Sequence, residues 1–117
     1  MPRYDAARNR MVRGESDADT VYTANGALTI GDGVHAIAKT SAAVMTLVPP
    51  TADQEGIRMV ITARTAFAHT VTITEGIGGK GGGFDVMTFA AVGDTIELLA
   101  DNLHWVPVGA GYGVAIA

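Results

Sequence analysis

The amino-acid sequence predicts an all-β fold, and three features support that prediction. Apolar residues alternate with polar ones at the two-residue period of a strand, as Val71 and Ile73 do between threonines. Glycine, proline, asparagine and aspartate separate these stretches at close spacing, which is typical of turns. Beyond residue 19, no stretch has the 3.6-residue apolar period of an amphipathic helix. Eight or nine short strands so spaced favour a sandwich, a jelly roll or a small barrel.

The first 13 residues are basic, whereas the rest of the chain is acidic. Four arginines and one aspartate give this segment a formal charge of +3, and the remaining 104 residues carry −7. We therefore predict a basic arm and linker over residues 1–19, either as a short helix or as an unstructured leader. The sandwich domain is predicted over 20–109, and 110–117 is a tail or a further edge strand.

Turn residues set the predicted ends of the strands. Asn25-Gly26 is a strong signal for a two-residue turn, and Pro49-Pro50 ends a strand because proline has no N–H to donate. The predicted strands are 20–24, 27–30, 34–39, 43–48, 57–65, 69–74, 84–92, 95–99 and 104–108, with 114–116 as the candidate edge strand.

The last two main strands are predicted to form one hairpin over 93–108. Ile96 and Leu98 point to one face of the outgoing strand, and the return strand carries Trp105, the only tryptophan in the chain. Taken alone, Trp105 would suit a ligand-stacking platform. At the end of a strand series without catalytic groups, it is better interpreted as a core anchor that closes the sandwich.

Composition narrows the classes of protein that the chain can belong to. Only 17% of residues are charged and 48% are hydrophobic, against about 25% charged in average domains. This balance favours a surface rich in small uncharged residues, or one partly covered in an assembly. The chain has no cysteine, and we expect neither a signal peptide nor a membrane span, because no long apolar run is present.

The glycine-rich stretch 76–83 contains the spacing of a dinucleotide-binding fingerprint, but its context is wrong. That motif needs a strand that leads into a helix, whereas a strand-like run follows here. The P-loop pattern also fails, since Gly81 rather than serine or threonine follows Lys80. We interpret the stretch as a mobile hairpin loop.

No catalytic constellation is visible in the sequence. His35, His69 and His104 are 34 and 35 residues apart, so they lack a local metal-binding spacing, and we expect them to be half-buried or on the surface. Most carboxylates lie in predicted turns, and Ser16 and Ser41 lack the setting of a nucleophile. We predict no catalytic, cofactor-binding or metal-binding residue and no enzyme activity. A small jelly-roll enzyme with a histidine-bound metal is the alternative.

The arginines of the arm are the candidate binding residues. They suit a nucleic acid, an acidic lipid surface or an acidic protein face. Tyr4 is the only nearby aromatic residue, and the acidic body would repel phosphates, so an acidic protein face fits best; a leader without a role is the alternative. The predicted partner-binding residues are Arg3, Arg8, Arg10 and Arg13.

One succession of motifs resembles the small head-decoration, or cement, proteins of tailed bacteriophages, whose modules also recur in tail fibres. The resemblance covers roughly 20–108. Each motif alone is a strand or turn pattern common in β-proteins, so the resemblance depends on the order and spacing of the motifs. The succession runs through Met45-Thr46-Leu47-Val48-Pro49-Pro50, Gly56, the strand 57–61, Val71-Thr72-Ile73, Gly93-Asp94-Thr95-Ile96-Glu97-Leu98 and Trp105-Val106.

The resemblance implies a small antiparallel β-sandwich or jelly roll of about eight strands with an N-terminal arm. It implies a non-enzymatic virion protein, made in the host bacterial cytoplasm, that stabilises the outer surface of a capsid by binding the major capsid protein as a symmetric oligomer. A homotrimer is favoured and a dimer is possible, with no cofactor, nucleic acid or membrane partner. The alternative is a tail-fibre or spike module that binds host glycans, with Trp105 or Tyr112 as the stacking platform.

Overall fold

The computed structural model of the chain describes residues 19–117, so the predicted arm up to residue 18 lies outside the described part. Within 19–117 there are ten strands, two short 3-10 helices (Ala52–Gln54 and Ile77–Gly79) and no α-helix. The strands are β1 (Thr20–Tyr22), β2 (Gly26–Ala27), β3 (Gly33–Ile37), β4 (Val44–Leu47), β5 (Arg58–Ala63), β6 (His69–Ile73), β7 (Val86–Phe89), β8 (Thr95–Asp101), β9 (His104–Pro107) and β10 (Ala115–Ile116).

The strands form two five-stranded sheets that pack face to face as a sandwich. The first sheet has the order β1-β3-β5-β8-β9 and the second has the order β10-β7-β6-β4-β2. The prediction of a small all-β sandwich is confirmed, with ten strands in place of about eight. Each predicted strand overlaps one observed strand, and the tail supplies β10 at an edge of the second sheet.

Pairing within the sheets is mixed rather than purely antiparallel. The first six strands alternate between the sheets, so that β1, β3 and β5 pair in parallel in one sheet, and β2, β4 and β6 do so in the other. Gly33 is paired with Met59 and Val44 with Thr70, which is an offset of 26 residues in both sheets. This part of the chain therefore winds between the sheets in successive turns, each of which adds one strand to each sheet; we call each turn a coil. This arrangement differs from the antiparallel jelly-roll order expected from the sequence.

The Asn25-Gly26 turn shows why the sequence pattern did not specify this pairing. The turn joins β1 to β2, but these strands belong to different sheets instead of forming a hairpin. The turn signal specifies a change of chain direction, but it does not specify which strand β2 pairs with. The Asn25 side chain links coils, because its Oδ1 accepts a hydrogen bond of 2.9 Å from the backbone N–H of Val44.

Other polar side chains also join each coil to the next. Asp32 Oδ1 accepts a hydrogen bond from the backbone N–H of Arg58 at 2.9 Å, and His69 Nδ1 accepts one from that of Ala43 at 3.0 Å. Both pairs are 26 residues apart, the same offset as the strand register. These side chains satisfy backbone donors at the places where the chain enters or leaves a sheet.

The second half of the described chain is antiparallel. β8 pairs with β5 and with β9, and β7 pairs with β6. The predicted terminal hairpin is confirmed, but β8 continues to Asp101, so that the turn is reduced to Asn102-Leu103. Both turn residues have positive φ, 53° and 67°, which is the backbone of a type I′ turn.

Trp105 lies in the core between the sheets. Its side chain is fully buried, and its Nε1–H donates a hydrogen bond of 2.8 Å to the backbone carbonyl of Val48, which follows β4 in the second sheet. Trp105 thus connects the two sheets by packing and by a hydrogen bond, as predicted for a core anchor. The core comprises Leu28, Ile37, Ala43, Met45, Leu47, Met59, Ile61, Ala63, Val71, Ile73, Ile77, Met87, Phe89, Ile96, Leu98, Ala100 and Trp105.

Replacing Trp105 tests this connection. We expect Trp105→Phe to lower the free energy of unfolding by about 2–3 kcal/mol, because it leaves a cavity and an unpaired Val48 carbonyl. Urea unfolding followed by circular dichroism measures the change. Tyr112→Phe is the control, since this exposed side chain should contribute less than about 0.5 kcal/mol. Equal stability of Trp105→Phe and the native protein would contradict the assignment.

Replacing Leu103 tests the strained turn. A left-handed backbone costs a residue with Cβ about 1–2 kcal/mol, and the greater unfolded-state entropy of glycine offsets part of this, so Leu103→Gly should stabilise the protein by about 0.5 kcal/mol or more. The matched control is Val44→Gly, also at an exposed apolar residue but in a strand, where glycine should destabilise. Loss of stability in both variants would show that the turn is not strained.

Candidate functional surface

The glycine-rich loop connects β6 to β7 as predicted, but it is a folded segment. Backbone hydrogen bonds close it from Gly81 N–H to the Glu75 carbonyl at 2.8 Å and from Ile77 N–H to the Phe84 carbonyl at 2.9 Å. Ile77 is buried against the core, and the 3-10 helix of the loop contacts β9. A strand follows the loop, so the context needed for pyrophosphate binding at a helix N-terminus is absent from this loop.

Close approaches explain two of the glycines in this loop. A Cβ on Gly76 would lie 2.7 Å from the carbonyl oxygen of Gly81, and a Cβ on Gly79 would lie 2.7 Å from Cε1 of His104. Both residues also have positive φ. The glycines therefore allow the loop to close on itself and to cover the ring of His104 on the edge strand β9.

His104 is the one histidine among the described residues that is accessible to solvent. Its Nδ1 lies 3.7 Å from Oε1 of Glu75, and about a third of its side chain is exposed. Lys80 lies over the ring of Phe84, with its Nζ 5.0 Å from the ring centre. Within residues 19–117, no group of three or more histidine, aspartate or glutamate residues is placed to hold a metal ion.

The other two histidines are buried, which corrects the expectation that they are half-buried or on the surface. The hydroxyl of Tyr22 lies 2.9 Å from Nδ1 of His35, and the carbonyl of Gly31 lies 2.8 Å from Nε2. The tyrosine hydroxyl also accepts the Thr29 N–H at 3.0 Å. Both ring nitrogens of His35 are therefore engaged in holding β1, β3 and the loop before β3.

His69 has an equally complete set of partners. Its Nδ1 accepts the Ala43 N–H, and its Nε2 lies 2.8 Å from Oγ1 of Thr65. That hydroxyl donates to the carbonyl of Lys39 at 2.6 Å, so the ring must donate to the hydroxyl. Burial lowers the pKa of His69; the hydrogen bond to Thr65 opposes this effect, and the charge of Lys39 adds to it. An isolated histidine in a strand carries no sequence signal of this network.

Three of the carboxylates predicted to lie in turns, Asp32, Glu55 and Asp94, have structural partners, whereas Asp101 lies in β8. Asp94 is buried, and its Oδ2 accepts the backbone N–H groups of Ala90 and Ala91, both at 3.0 Å. Glu55 Oε1 accepts the N–H of Asn102 at 3.0 Å, which ties the loop before β5 to the turn after β8. These groups stabilise turns.

The outer face of the first sheet is mostly apolar. Register places Val60 at its centre, beside Val34 on β3 and Glu97 on β8. Arg58 lies near Glu97 and forms an ion pair of 3.1 Å with it, and these are the two charged side chains in the middle of this face among residues 19–117. The other outward residues include Val21, Thr62, Thr95, Leu99, Val106 and Val108.

The strand positions on the outer face of the second sheet are uncharged, and threonine hydroxyl groups are prominent among them. The central strand β6 presents Thr70 and Thr72 outward, and the neighbouring strands add Thr46 and Thr88. Val44 and Val86 complete the outward positions of these three strands, and the edge strands add Ala27 and Ala115.

Acidic residues collect at the end of the sandwich where β3 and β5 begin and β4, β6 and β8 end. The loops there contain five carboxylates and one lysine, Lys80, and at the same end Asp101 is the last residue of β8 and Arg58 the first residue of β5. At the opposite end, Asp19 pairs with Arg64, and Asp94 is enclosed by its turn. The carboxylates of this acidic end are Asp32, Asp53, Glu55, Glu75, Asp85 and Asp101.

The two residues considered as stacking platforms, Trp105 and Tyr112, differ in exposure. Trp105 is fully buried and presents no ring to a ligand, whereas 72% of Tyr112 is exposed. The predicted capsid-binding residues Arg3, Arg8, Arg10 and Arg13 lie outside the described residues.

No helix between residues 19 and 117 has the length and hydrophobicity needed to cross a membrane. Comparisons of the chain with protein-family models, curated proteins and solved structures found no match.

The buried neutral His69 predicts acid sensitivity of the fold. An unfolded histidine has a pKa near 6.5, and the folded pKa is lower, so the unfolded state binds more protons between the two values. The stability from this residue is complete above pH 6.5 and falls as the pH drops towards the folded pKa, by at most about 1.4 kcal/mol per pH unit. Urea unfolding between pH 7.5 and 5 measures the slope.

His69→Gln is the test variant, because glutamine offers a donor and an acceptor but does not titrate in this range. We expect it to reduce the slope, whereas Val92→Gln, at an exposed residue without a titratable group, should leave the slope close to that of the native protein. An unchanged slope in His69→Gln would contradict the assignment.

Proposed function

We propose that this chain is a structural virion protein that decorates the outer surface of a bacteriophage capsid. In this proposal it binds the lattice of the major capsid protein as a symmetric oligomer and stabilises it, without enzymatic activity, cofactor, nucleic acid or membrane partner. It would be made in the host cytoplasm and function on the assembled head. The observation that carries the proposal is the separation of charge between a basic arm and a body whose acidic residues collect at one end.

The described body has the properties that a decorating module needs. Residues 19–117 carry nine acidic and four basic residues, a formal charge of −5, against +3 in residues 1–13. A basic arm is suited to an acidic partner surface, and repulsion between that surface and the acidic end of the body would orient the body away from it. In this proposal the basic arm is attracted to the capsid surface, and the sandwich is the rigid part on the outside of the capsid.

Decoration makes use of several modest contacts at once. An oligomer that touches neighbouring capsid subunits makes its later contacts at high effective concentration, because they are intramolecular. A protein that binds only the assembled lattice stabilises that lattice by mass action. Neither effect requires a pocket or a reactive group. The buried polar groups described above, in His35, His69 and Asp94, are consistent with this, because each is engaged in holding the fold.

Tyr112 supports a second candidate function, a tail-fibre or spike module that binds host glycans. It is the most exposed of the large apolar side chains within 19–117, and aromatic rings of this kind stack on sugars. A glycan array tests this with Tyr112→Ala, and Phe84→Ala serves as a control at another exposed ring. Binding that depends on Tyr112 alone would favour this function, and the absence of glycan binding by the native protein would remove it.

Neutralising arginines of the arm tests the capsid proposal. We expect Arg8→Gln/Arg10→Gln to weaken binding to undecorated heads about tenfold and to make binding less sensitive to salt, because two charge contacts are lost. Co-sedimentation with heads at increasing salt measures both effects. The matched control is Lys39→Gln/Lys80→Gln, which removes the same charge from the body and should change binding little.

Deletion of residues 1–19 should weaken binding further than the double arginine variant does. Equal losses in the arginine and lysine variants would indicate a general effect of net charge. Binding that is unaffected by the deletion would remove the arm from the proposal.

A further inference from the structure

The outer face of the first sheet combines apolar side chains with one central ion pair, Arg58–Glu97. Its central row runs from Val34 through Val60 to Glu97, and Val108 continues it on the far side. The Val108 side chain is 40% exposed, and Val21, on the edge strand β1, is 46% exposed. The apolar side chains between these margins, Val34, Val60, Leu99 and Val106, are half-buried. An apolar sheet face that is partly open to solvent is a common interaction surface.

Hydrogen bonds and register make this face a continuous surface. The hydroxyl groups of Thr62 and Thr95 pair across β5 and β8 at 2.7 Å, which leaves their methyl groups to extend the apolar surface. The isolated bridge between Thr95 and Tyr112 places Tyr112 on the same side of the sheet, at its corner. A large exposed aromatic residue at the margin of an apolar patch is typical of protein interfaces.

We infer that this face binds the same face of a second copy of the chain, so that the oligomer of the proposed function is built from two-fold dimers. The Arg58–Glu97 pair favours this occupant. The two side chains lie on neighbouring strands and are opposite in charge. A two-fold axis between them places Arg58 of one copy against Glu97 of the other, so the face is complementary to itself.

The distribution of charge also favours a second copy. Two bodies with a net charge of −5 repel one another, and the repulsion is strongest where the acidic ends meet. The first sheet's outer face brings together two surfaces whose central charges are already balanced. Self-association through this face therefore opposes few like charges at its centre, and the ion pair there gives each copy a charge of either sign to face its partner.

Size predicts the strength of this dimer. A five-stranded sheet is about 20 Å wide, and about five residues of each strand extend it to about 17 Å. Such a face is smaller than the about 800 Å² per partner of a standard interface. We therefore expect a dissociation constant in the micromolar range or weaker, with additional stabilisation when several copies are held on one lattice.

Sedimentation equilibrium from about 1 µM to about 1 mM tests the inference directly. The native protein should pass from the mass of one chain to twice that mass. Val60→Lys places a charge at the centre of the face and should weaken association at least about 30-fold. The control is Thr72→Lys, which adds the same charge at a half-buried outward position of β6, the central strand of the second sheet, and should dimerise as the native protein does.

Charge reversal gives a second test that does not depend on one variant folding. Arg58→Glu and Glu97→Arg should each weaken association, because each creates like charges at the axis, and the double reversal should restore it. Circular dichroism and thermal unfolding check that every variant is folded. A native protein that remains monomeric at about 1 mM, or equal effects of Val60→Lys and Thr72→Lys, would overturn the inference.

The role of the dimer in decoration rests on the proposed function, whereas the test of dimer formation does not depend on it. A monomer that still binds undecorated heads would overturn the dimer and leave decoration standing. A dimer that does not bind heads would support the interface and remove decoration. If Val60→Lys abolishes head binding while the native protein is monomeric, the face contacts a different protein, and the inference is overturned.

Discussion

The common 26-residue offset of β3 from β5 and of β4 from β6 is the constraint on which this sandwich depends. Because side chains alternate between the faces of a strand, a slip of one residue in either pair would turn apolar side chains outward. Asp32, His69 and Thr65 each make a hydrogen bond to a residue 26 positions away, so three side chains enforce the same offset outside the ladders. Register is therefore specified twice, by the apolar faces and by polar side chains in the turns.

The antiparallel strands β7, β8 and β9 widen the two sheets that the coils form. β8 is added beside β5, and the hairpin brings Trp105 under the end of β4, where it donates to the Val48 carbonyl. The same addition places Glu97 beside Val60 and within reach of Arg58, which produces the ion pair on the outer face. The surface that we propose for self-association is thus a consequence of how the two halves of the chain meet at β5.

Local patterns in the sequence were sufficient to predict the strands, the terminal hairpin and the role of Trp105, because alternation and turn residues act over a few positions. They were not sufficient to predict which strands pair. Asn25-Gly26 reverses the chain whether the next strand joins the same sheet or the opposite one, and only packing of the whole molecule distinguishes these outcomes. The burial of His35 and His69 depends on partners 13 and 26 residues away, which no single-sequence pattern displays. The outer faces follow from pairing, so they too became visible only in the structure.

The proposed functions lie on surfaces of the protein, because the buried polar groups described above maintain the fold. The most direct test of decoration is a titration of the native protein onto undecorated heads, with the bound copies counted and located by electron microscopy. We expect saturation at a fixed number of copies per head, at symmetry-related positions on the outer surface. Binding that does not saturate, or copies absent from those positions, would contradict the account.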